Sequence, residues 1–442
     1  MRTVQQILEA GNDNFYLINT AYPPDKVCWA PYRADTDYSA WAGEEGLGLY
    51  LHIPFCKTRC RFCEYVTMSL PDKALVEQYL NAVNNELTHY REQLPLSGKI
   101  LHGFDMGGGT PTLLSSSQLE WLFTGLQPFI SSLEKSGDYE QAIETNTEIA
   151  CNNLPLLKTF KDLGFTRISM GIQTVSENLL ADLNREYQAT LAYNQAMENF
   201  NKTGFEKINL DVMYGLPGQS MKSWEETLHF ILTLKADQIS IYETRYKDSL
   251  LNNRCRSLNL DSLNWMYELA YDCLISAGYY GYYGSTAFTR NFNDKGLSSY
   301  LRKRTTEFIP YLGLGIGAQT MTREYLSYNF GKNSFDLAGY ITEAGKGTPV
   351  EYYYKLPDEE TAAKYIAISF YLGYINYPLL SARMGFDFLS LYRQQIDFLL
   401  EQDFINIDAE KITLTRRGYR KYHGIITLFY PARTLNYICP AV

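Results

Sequence analysis

Histidine is scarce, five residues in a chain of 442, and five of the eight cysteines (Cys28, Cys151, Cys255, Cys273 and Cys439) stand far apart from one another. So few ligands outside one tight cysteine group argue against a second metal centre. No window approaches 18 consecutive apolar residues, so no membrane-spanning helix is expected and no membrane partner. The net charge is −9 and no block of five or more Lys or Arg occurs, which argues against holding duplex nucleic acid by its phosphates. The start, Met1-Arg2-Thr3-Val4-Gln5-Gln6, lacks the apolar stretch and small-residue cleavage site of a secretory signal. The expected compartment is the cytoplasm, where clustered cysteines bind metal or do redox chemistry more often than they form disulfides.

Apolar residues are plentiful at 45%, with 14% aromatics, which excludes a disordered or collagen-like chain. The length suggests two or three domains, or one large α/β barrel with an appended piece. Residues 1–44 carry Pro23, Pro24, Trp29, Pro31 and Trp41 and little periodicity, reading as an irregular arm with one short helix at its start. Short β-like runs then follow at 47–52, 101–106, 142–146, 167–173, 208–214 and 238–243. Helical spacing fills the gaps, at 71–94, 154–163, 176–202, 221–234 and 261–277, and Ser117-Gln118-Leu119-Glu120 reads as a capping box before another helix.

Gly164, Gly204 and Gly278 stand where helix C-terminal caps would fall. Six β/α repeats predict a parallel sheet, and one continuous hand would close it as most of a barrel. The expected fold is α/β, a partial (βα)6 TIM-like barrel with its site at the C-terminal strand ends. The alternation stops after about residue 300, and a mostly helical domain follows, with a small β-hairpin at 404–415. The expected division is an arm at 1–44, a barrel with its extension at 45–345, and the C-terminal domain at 346–442.

The first strand runs into His52-Ile53-Pro54-Phe55-Cys56-Lys57-Thr58-Arg59-Cys60-Arg61-Phe62-Cys63, a Cys-x3-Cys-x2-Cys triplet in one short loop. Three thiolates can hold three irons of a cubane cluster and leave the fourth open to a ligand, whereas a closed four-iron cluster uses four. Zinc is the competitor, but a structural zinc site takes four Cys or His ligands, and the nearest following histidine is His89. Gly107-Gly108-Gly109-Thr110-Pro111-Thr112 follows the second strand; alone, it is a tight turn that lets backbone approach a ligand.

With these two motifs in order, the sequence resembles the radical S-adenosylmethionine (SAM) superfamily. It is most similar to the branch of oxygen-independent coproporphyrinogen III oxidase, the related haem chaperones, and the class C radical methyltransferases and cyclopropanases. Residues 50–63, 167–173 and 209–219 carry the likeness, which spans about 47–320. The resemblance implies a [4Fe-4S] cluster on Cys56, Cys60 and Cys63, with SAM on the open iron touched by Tyr50, Phe62, Gly108, Gly109 and Glu144. It implies a second SAM at Thr110, Gln173, Arg185 and Asp211, and a return segment, Gly313-Leu314-Gly315-Ile316-Gly317-Ala318-Gln319, with Gln319 at its tip. Bland readings stand beside these: a solvated helix residue for Arg185, a buried strand polar group for Asp211, and a supporting group rather than a ligand for His52.

Three departures bear on the reaction. The oxidases carry a fourth Cys two positions after the triplet, where this chain has Tyr65 after Glu64; the chaperones carry His in the return segment, where it has Gln319; the oxidases carry Ala in the sixth-strand loop, where Arg245 stands. By resemblance, one electron from the cluster splits SAM into methionine and a 5′-deoxyadenosyl radical. The reading ranked first is an enzyme that transfers a methyl or methylene group to an unsaturated carbon of a small molecule, using the second SAM. The alternatives are oxidative decarboxylation of the coproporphyrinogen type or another tetrapyrrole modification, and a haem-binding chaperone. A low-potential electron donor of the flavodoxin or ferredoxin type is the implied protein partner.

Overall fold

Side-chain alternation sets up the central sheet. In β1 (Gly46–Ile53), Leu47, Leu49, Leu51 and Ile53 are fully buried on one face, while Gly48, Tyr50 and His52 take the other. The same inversion recurs in β2 (Ile100–Gly108), β3 (Gln141–Thr145), β4 (Arg167–Gln173), β5 (Lys207–Tyr214) and β6 (Gln238–Glu243). Their apolar residues, such as Phe104, Ile168, Leu210 and Ile239, are buried on the face opposite to the polar ones. The computed structural model describes residues 2–18, 22–185, 187–188, 190–246, 249–253 and 259–439, so Cys255 lies outside the described residues.

The six strands pair in parallel in the order β6-β5-β4-β3-β2-β1, with helices Lys73–Gln93, Ser116–Ser131, Leu154–Asp162, Thr190–Thr203 and Met221–Thr233 among the connections. This is the parallel α/β architecture expected. It is extended at both edges. β7 (Ala287–Thr289) pairs antiparallel with β6, and β8 (Tyr311–Leu314) lies parallel to β1. Beyond β8, the strands β9 (Gln319–Met321), β10 (Tyr325–Asn329) and β11 (Val350–Lys355) continue as an antiparallel meander. Since β11 belongs to this sheet, the barrel's extension runs past the expected boundary at 345, as far as Lys355.

Two local expectations are corrected. The capping box before Ser116–Ser131 is Ser115 with Gln118, two residues earlier than Ser117 with Glu120: the Ser115 hydroxyl accepts from Gln118 N–H, and the Gln118 side chain accepts from Ser115 N–H. The single helix expected over 176–202 is broken into Glu177–Asp182 and Thr190–Thr203. Asn184, in the left-handed region at φ 59°, turns the chain there, a conformation asparagine tolerates better than most residues.

Helix Ser299–Thr306 packs on the inner side of β1 and β2. A Cβ on Gly48 would meet the Tyr300 ring at 2.6 Å, and one on Gly103 would run into the Tyr300 backbone, so bare backbone on both strands admits the helix. On the outside, Glu86 of Lys73–Gln93 is buried and holds the return segment, accepting from Gly315 N–H at 2.9 Å and from Asn329 Nδ2 and the Tyr340 hydroxyl at 2.6 Å each.

The C-terminal part is mostly helical, around helix Asp358–Ser369, which is buried from Glu360 to its end. Ile405–Ile407 and Ile412–Leu414 form an antiparallel hairpin, joined by Tyr374–Ile375. The N-terminal arm packs on this part. Its helix Val4–Asp13 crosses Tyr422–Thr427 where Gly11 and Gly424 allow close approach, and Glu360 accepts hydrogen bonds from Tyr22 and Trp29.

Candidate functional site

β1 ends at Ile53, and after Pro54 the pair Phe55–Cys56 runs parallel to Met68–Ser69, closing a loop over 57–67 that carries Cys60 and Cys63. The glycine turn after β2 fastens this loop from below: Gly109 N–H donates to Ile53 O and Thr110 N–H to Phe55 O, each at 2.8 Å. A Cβ at Gly109 would lie 2.7 Å from those same carbonyl oxygens, one at Gly107 would lie 2.7 Å from the Glu144 carboxylate, and one at Gly108 would run into the His52 ring. The glycines are therefore required by contact with this chain's own atoms.

His52 secures the far end of the loop. Burial lowers its pKa to about 4, so the ring is neutral; Nε2–H donates to Val66 O at 2.7 Å, which leaves Nδ1 to accept from the Tyr50 hydroxyl at 3.1 Å. That is a supporting role.

All three cysteines are half-buried, and each sulfur has a polar neighbour: Thr110 Oγ1 at 3.8 Å from Cys56, Arg185 Nη1 at 3.5 Å from Cys60, and Thr67 Oγ1 at 3.7 Å from Cys63. Burial pushes the Cys56 thiol up to about 12 and raises that of Cys63, so a bound metal would supply the charge that deprotonates them. Among the described residues no three His, Cys, Asp or Glu side chains converge on a single metal ion. A cubane asks for something else, three thiolates on three separate irons with hydrogen bonds to sulfur, and this donor set suits it.

Arg185 belongs to this group. It is buried in the loop between two helices, where its Nη2 donates to Gly171 O at 2.8 Å and its Nε to Gln188 Oε1 at 3.0 Å, so the solvated-helix reading falls away. Phe62 lies under its guanidinium at 6.0 Å and packs against a small apolar cluster with Leu179, Leu183 and Met213.

Behind the loop, the inner face of the barrel is polar. Parallel register places Tyr50, Asp105, Ala142 and Arg167 in one row and Glu144, Ser169, Asn209 and Gln238 in the next. A space of about 480 Å³, continuous with solvent, lies among Tyr50, Asp105, Glu144, Arg167, Asp211 and Tyr242, with Ser298 and Leu301 on its wall. Glu144 is accessible from this cavity yet surrounded by protein. Burial pushes its carboxyl up to about 7, while a 3.0 Å hydrogen bond from Gly108 N–H pulls the other way. Asp105 is likewise raised to about 7 by burial, with Ser298 donating to Oδ2 at 2.6 Å.

Burial also raises Asp211, which accepts from Ser169 at 2.7 Å and Asn209 at 2.8 Å. At this site two buried acceptors, Asp105 Oδ1 and Gln173 Oε1, the latter on a side chain 8% exposed, have no partner among the described residues. Unsatisfied buried acceptors suit a ligand with ammonium or hydroxyl groups, so the interior fits SAM.

The structure thus groups Tyr50, Glu144, the glycine turn and the three cysteines at one end of β1–β3, with Gln173, Arg185 and Asp211 beside them on β4, its following loop and β5. Gln319 is placed otherwise. It opens β9 instead of sitting at a loop tip, and its amide is engaged by the hydroxyls of Tyr311 and Tyr328, the latter at 2.6 Å. Sequence reasoning missed Asp105, Arg167, Ser169, Asn209 and Ser240. Their signal was polar residues at every second position of strands whose other positions are apolar.

Comparison with known proteins agrees with this geometry. Residues 50–231 match the Radical SAM superfamily. The chain is 27% identical to the haem chaperone HemW of Bacillus subtilis over 84% of this chain and 95% of that one, and 27% identical to HemW of Haemophilus influenzae over 87% and 97%. It is 31% identical to the oxygen-independent coproporphyrinogen III oxidase of Escherichia coli over 45% and 42%. The solved structure of coproporphyrinogen III oxidase HemN from Escherichia coli superposes with a TM-score of 0.73 at 22% identity, over 89% of this chain and 92% of that one, which establishes the shared fold. A radical SAM domain implies a [4Fe-4S] cluster and SAM, and Cys56, Cys60 and Cys63 and the cavity behind them are the groups present that could hold them. The chain thus carries a radical SAM domain over residues 50–231 and is similar, beyond it, to the haem chaperones and the oxygen-independent coproporphyrinogen III oxidases.

Proposed function

We propose that this protein is a radical SAM enzyme that acts on a tetrapyrrole by hydrogen abstraction. The observation that carries the reading is the juxtaposition of the cysteine loop with a polar barrel interior, in a chain whose relatives are named for coproporphyrinogen oxidation and haem delivery. Cys56, Cys60 and Cys63 would hold the cluster, and Tyr50, the glycine turn and Glu144 would orient SAM. When bound, the cluster supplies the electron that cleaves SAM, and the protein's part is to position the reacting groups and exclude water. A low-potential flavodoxin- or ferredoxin-type protein would feed the cluster.

Methyl or methylene transfer, ranked first on the sequence, gives way to this alternative, because the relatives above are chaperones and oxidases. A second SAM beside Thr110, Gln173, Arg185 and Asp211 belongs to the proposal; its support is the unpartnered Gln173 Oε1. Haem delivery is the second reading, favoured by the match over nearly the whole length of HemW.

Anaerobic reconstitution with iron and sulfide, followed by dithionite, SAM and coproporphyrinogen III, tests the proposal. Formation of 5′-deoxyadenosine that rises with the tetrapyrrole and disappears in Cys60→Ala supports it. Haem bound at one site by a four-iron protein that forms no 5′-deoxyadenosine moves the assignment to delivery. Full activity and a four-iron cluster in Cys60→Ala would refute both.

A further inference from the structure

Arg245 stands just past the end of β6, between the cysteine loop and the C-terminal part. Its Nη1 donates at 2.8 Å to Glu64, the residue after Cys63, and its Nη2 donates to the Tyr371 hydroxyl, whose ring centre lies 5.7 Å from the guanidinium. With Tyr242, Tyr246, Tyr371 and Tyr422 it walls a chamber of about 690 Å³, open to solvent. Tyr242 lines both this chamber and the polar cavity inside the barrel, so the two spaces adjoin across one ring. Tyr65, at the position where the oxidases carry their fourth cysteine, is 54% exposed and within electrostatic reach of Arg245, Tyr371 and Glu144.

Flat aromatic walls with one guanidinium set among them match a molecule of aromatic rings, such as pyrroles, bearing an anionic arm: rings stack, and the planar fork grips a carboxylate through two hydrogen bonds. We propose that Arg245 is the carboxylate anchor of the substrate chamber, and that Glu64 holds its place until a substrate carboxylate exchanges for it. The proposal rests on the tetrapyrrole reading and names the groups by which such a molecule is held. The exchange keeps charges paired. The guanidinium trades one carboxylate for another, and the Glu64 side chain, already 24% exposed, turns to water, so no ion is left buried alone. Since Glu64 adjoins Cys63, occupation of the chamber is communicated to the cysteine loop.

The cluster-loaded protein is titrated with coproporphyrin III and, separately, with its tetramethyl ester, following the shift of the porphyrin absorbance band. The free acid is expected to bind about tenfold more tightly than the ester, the worth of a hydrogen-bonded charge pair. Arg245→Gln should erase this preference, Arg245→Lys should keep part of it, and Glu64→Gln, by removing the competing carboxylate, should enlarge it. A folding defect cannot tighten binding, so Glu64→Gln tests the exchange even if the Arg245 variants fold poorly; weaker acid binding in Glu64→Gln would overturn it. Equal binding of acid and ester by the native protein would overturn the anchor and leave the tetrapyrrole reading standing. Binding of neither would overturn that reading, and the anchor with it.

Discussion

The Arg185 guanidinium donates to Cys60 Sγ at 3.5 Å and to Gly171 O at 2.8 Å, so one side chain ties the cysteine loop to the bulged end of β4. Arg185→Ala removes a buried cation and leaves those acceptors poorer. The expected cost is about 2 kcal/mol in urea unfolding, with a severalfold loss of retained iron measured against protein. Arg185→Lys should recover part of the iron, since a single ammonium restores the charge without the fork.

At Gly108 two constraints coincide: φ is +105°, and an added Cβ would collide with the His52 ring. In Gly108→Ala the ring must move, breaking the link from His52 to Val66 that closes the cysteine loop. Reconstituted Gly108→Ala is expected to hold less iron than the native protein while far-ultraviolet circular dichroism stays unchanged. Native iron content in this variant would show that the link is dispensable.

Glu86 supplies a pH signature. Burial raises its carboxyl from 4.5 to about 7, against the hydrogen bonds from Tyr340, Gly315 and Asn329. A folded-state pKa raised above the unfolded one gives stability that is fully present below pH 4.5 and lost as the pH rises through about 7. Relative to a Glu86→Gln variant, whose side chain does not titrate, the native protein should therefore lose roughly 3 kcal/mol across that window. Urea midpoints of the two proteins at pH 4 and pH 8 measure the difference directly. A constant gap would mean that Glu86 titrates alike in the folded and unfolded chain.

Glu360 joins the arm to the C-terminal part by accepting from the Tyr22 hydroxyl at 2.5 Å and Trp29 Nε1 at 2.9 Å. Glu360→Ala strands Trp29 Nε1 and leaves the Tyr22 hydroxyl only Thr434 Oγ1, at 3.0 Å, and should cost about 2 kcal/mol. Limited proteolysis is expected to cut first within residues 1–44, leaving the barrel intact.

How much of this could be read from the sequence follows from the range of each interaction. The strand β4 over 167–173 and the strand β6 over 238–243 have the bounds expected, because alternation of apolar and polar residues is a local signal. The cysteine triplet and glycine turn were legible for the same reason. Arg185 read equally well as a helix residue, because the break at Asn184 depends on a turn whose partners, Arg59 and Gly171, lie far away in the chain. The β11 strand escaped because the run Tyr352-Tyr353-Tyr354 does not alternate, and its strand is fixed only by pairing with β10. The contact of Glu64 with Arg245 crosses 181 positions and leaves no local trace.

The inverted barrel wall has a consequence for how such a protein can change. Its adhesion comes from the outer side, where Leu49, Leu51, Ile168 and Leu210 meet the helices, while the inner side carries Asp105, Glu144, Ser169 and Asp211 around open space. Replacing an outer residue leaves a void and weakens the fold, whereas replacing an inner one chiefly alters what fills the space. The two sides of each strand thus answer to separate demands: apart from Gly48, His52 and Gly103, which the fold itself uses, the interior can be rewritten for another molecule while the outer side keeps the scaffold together.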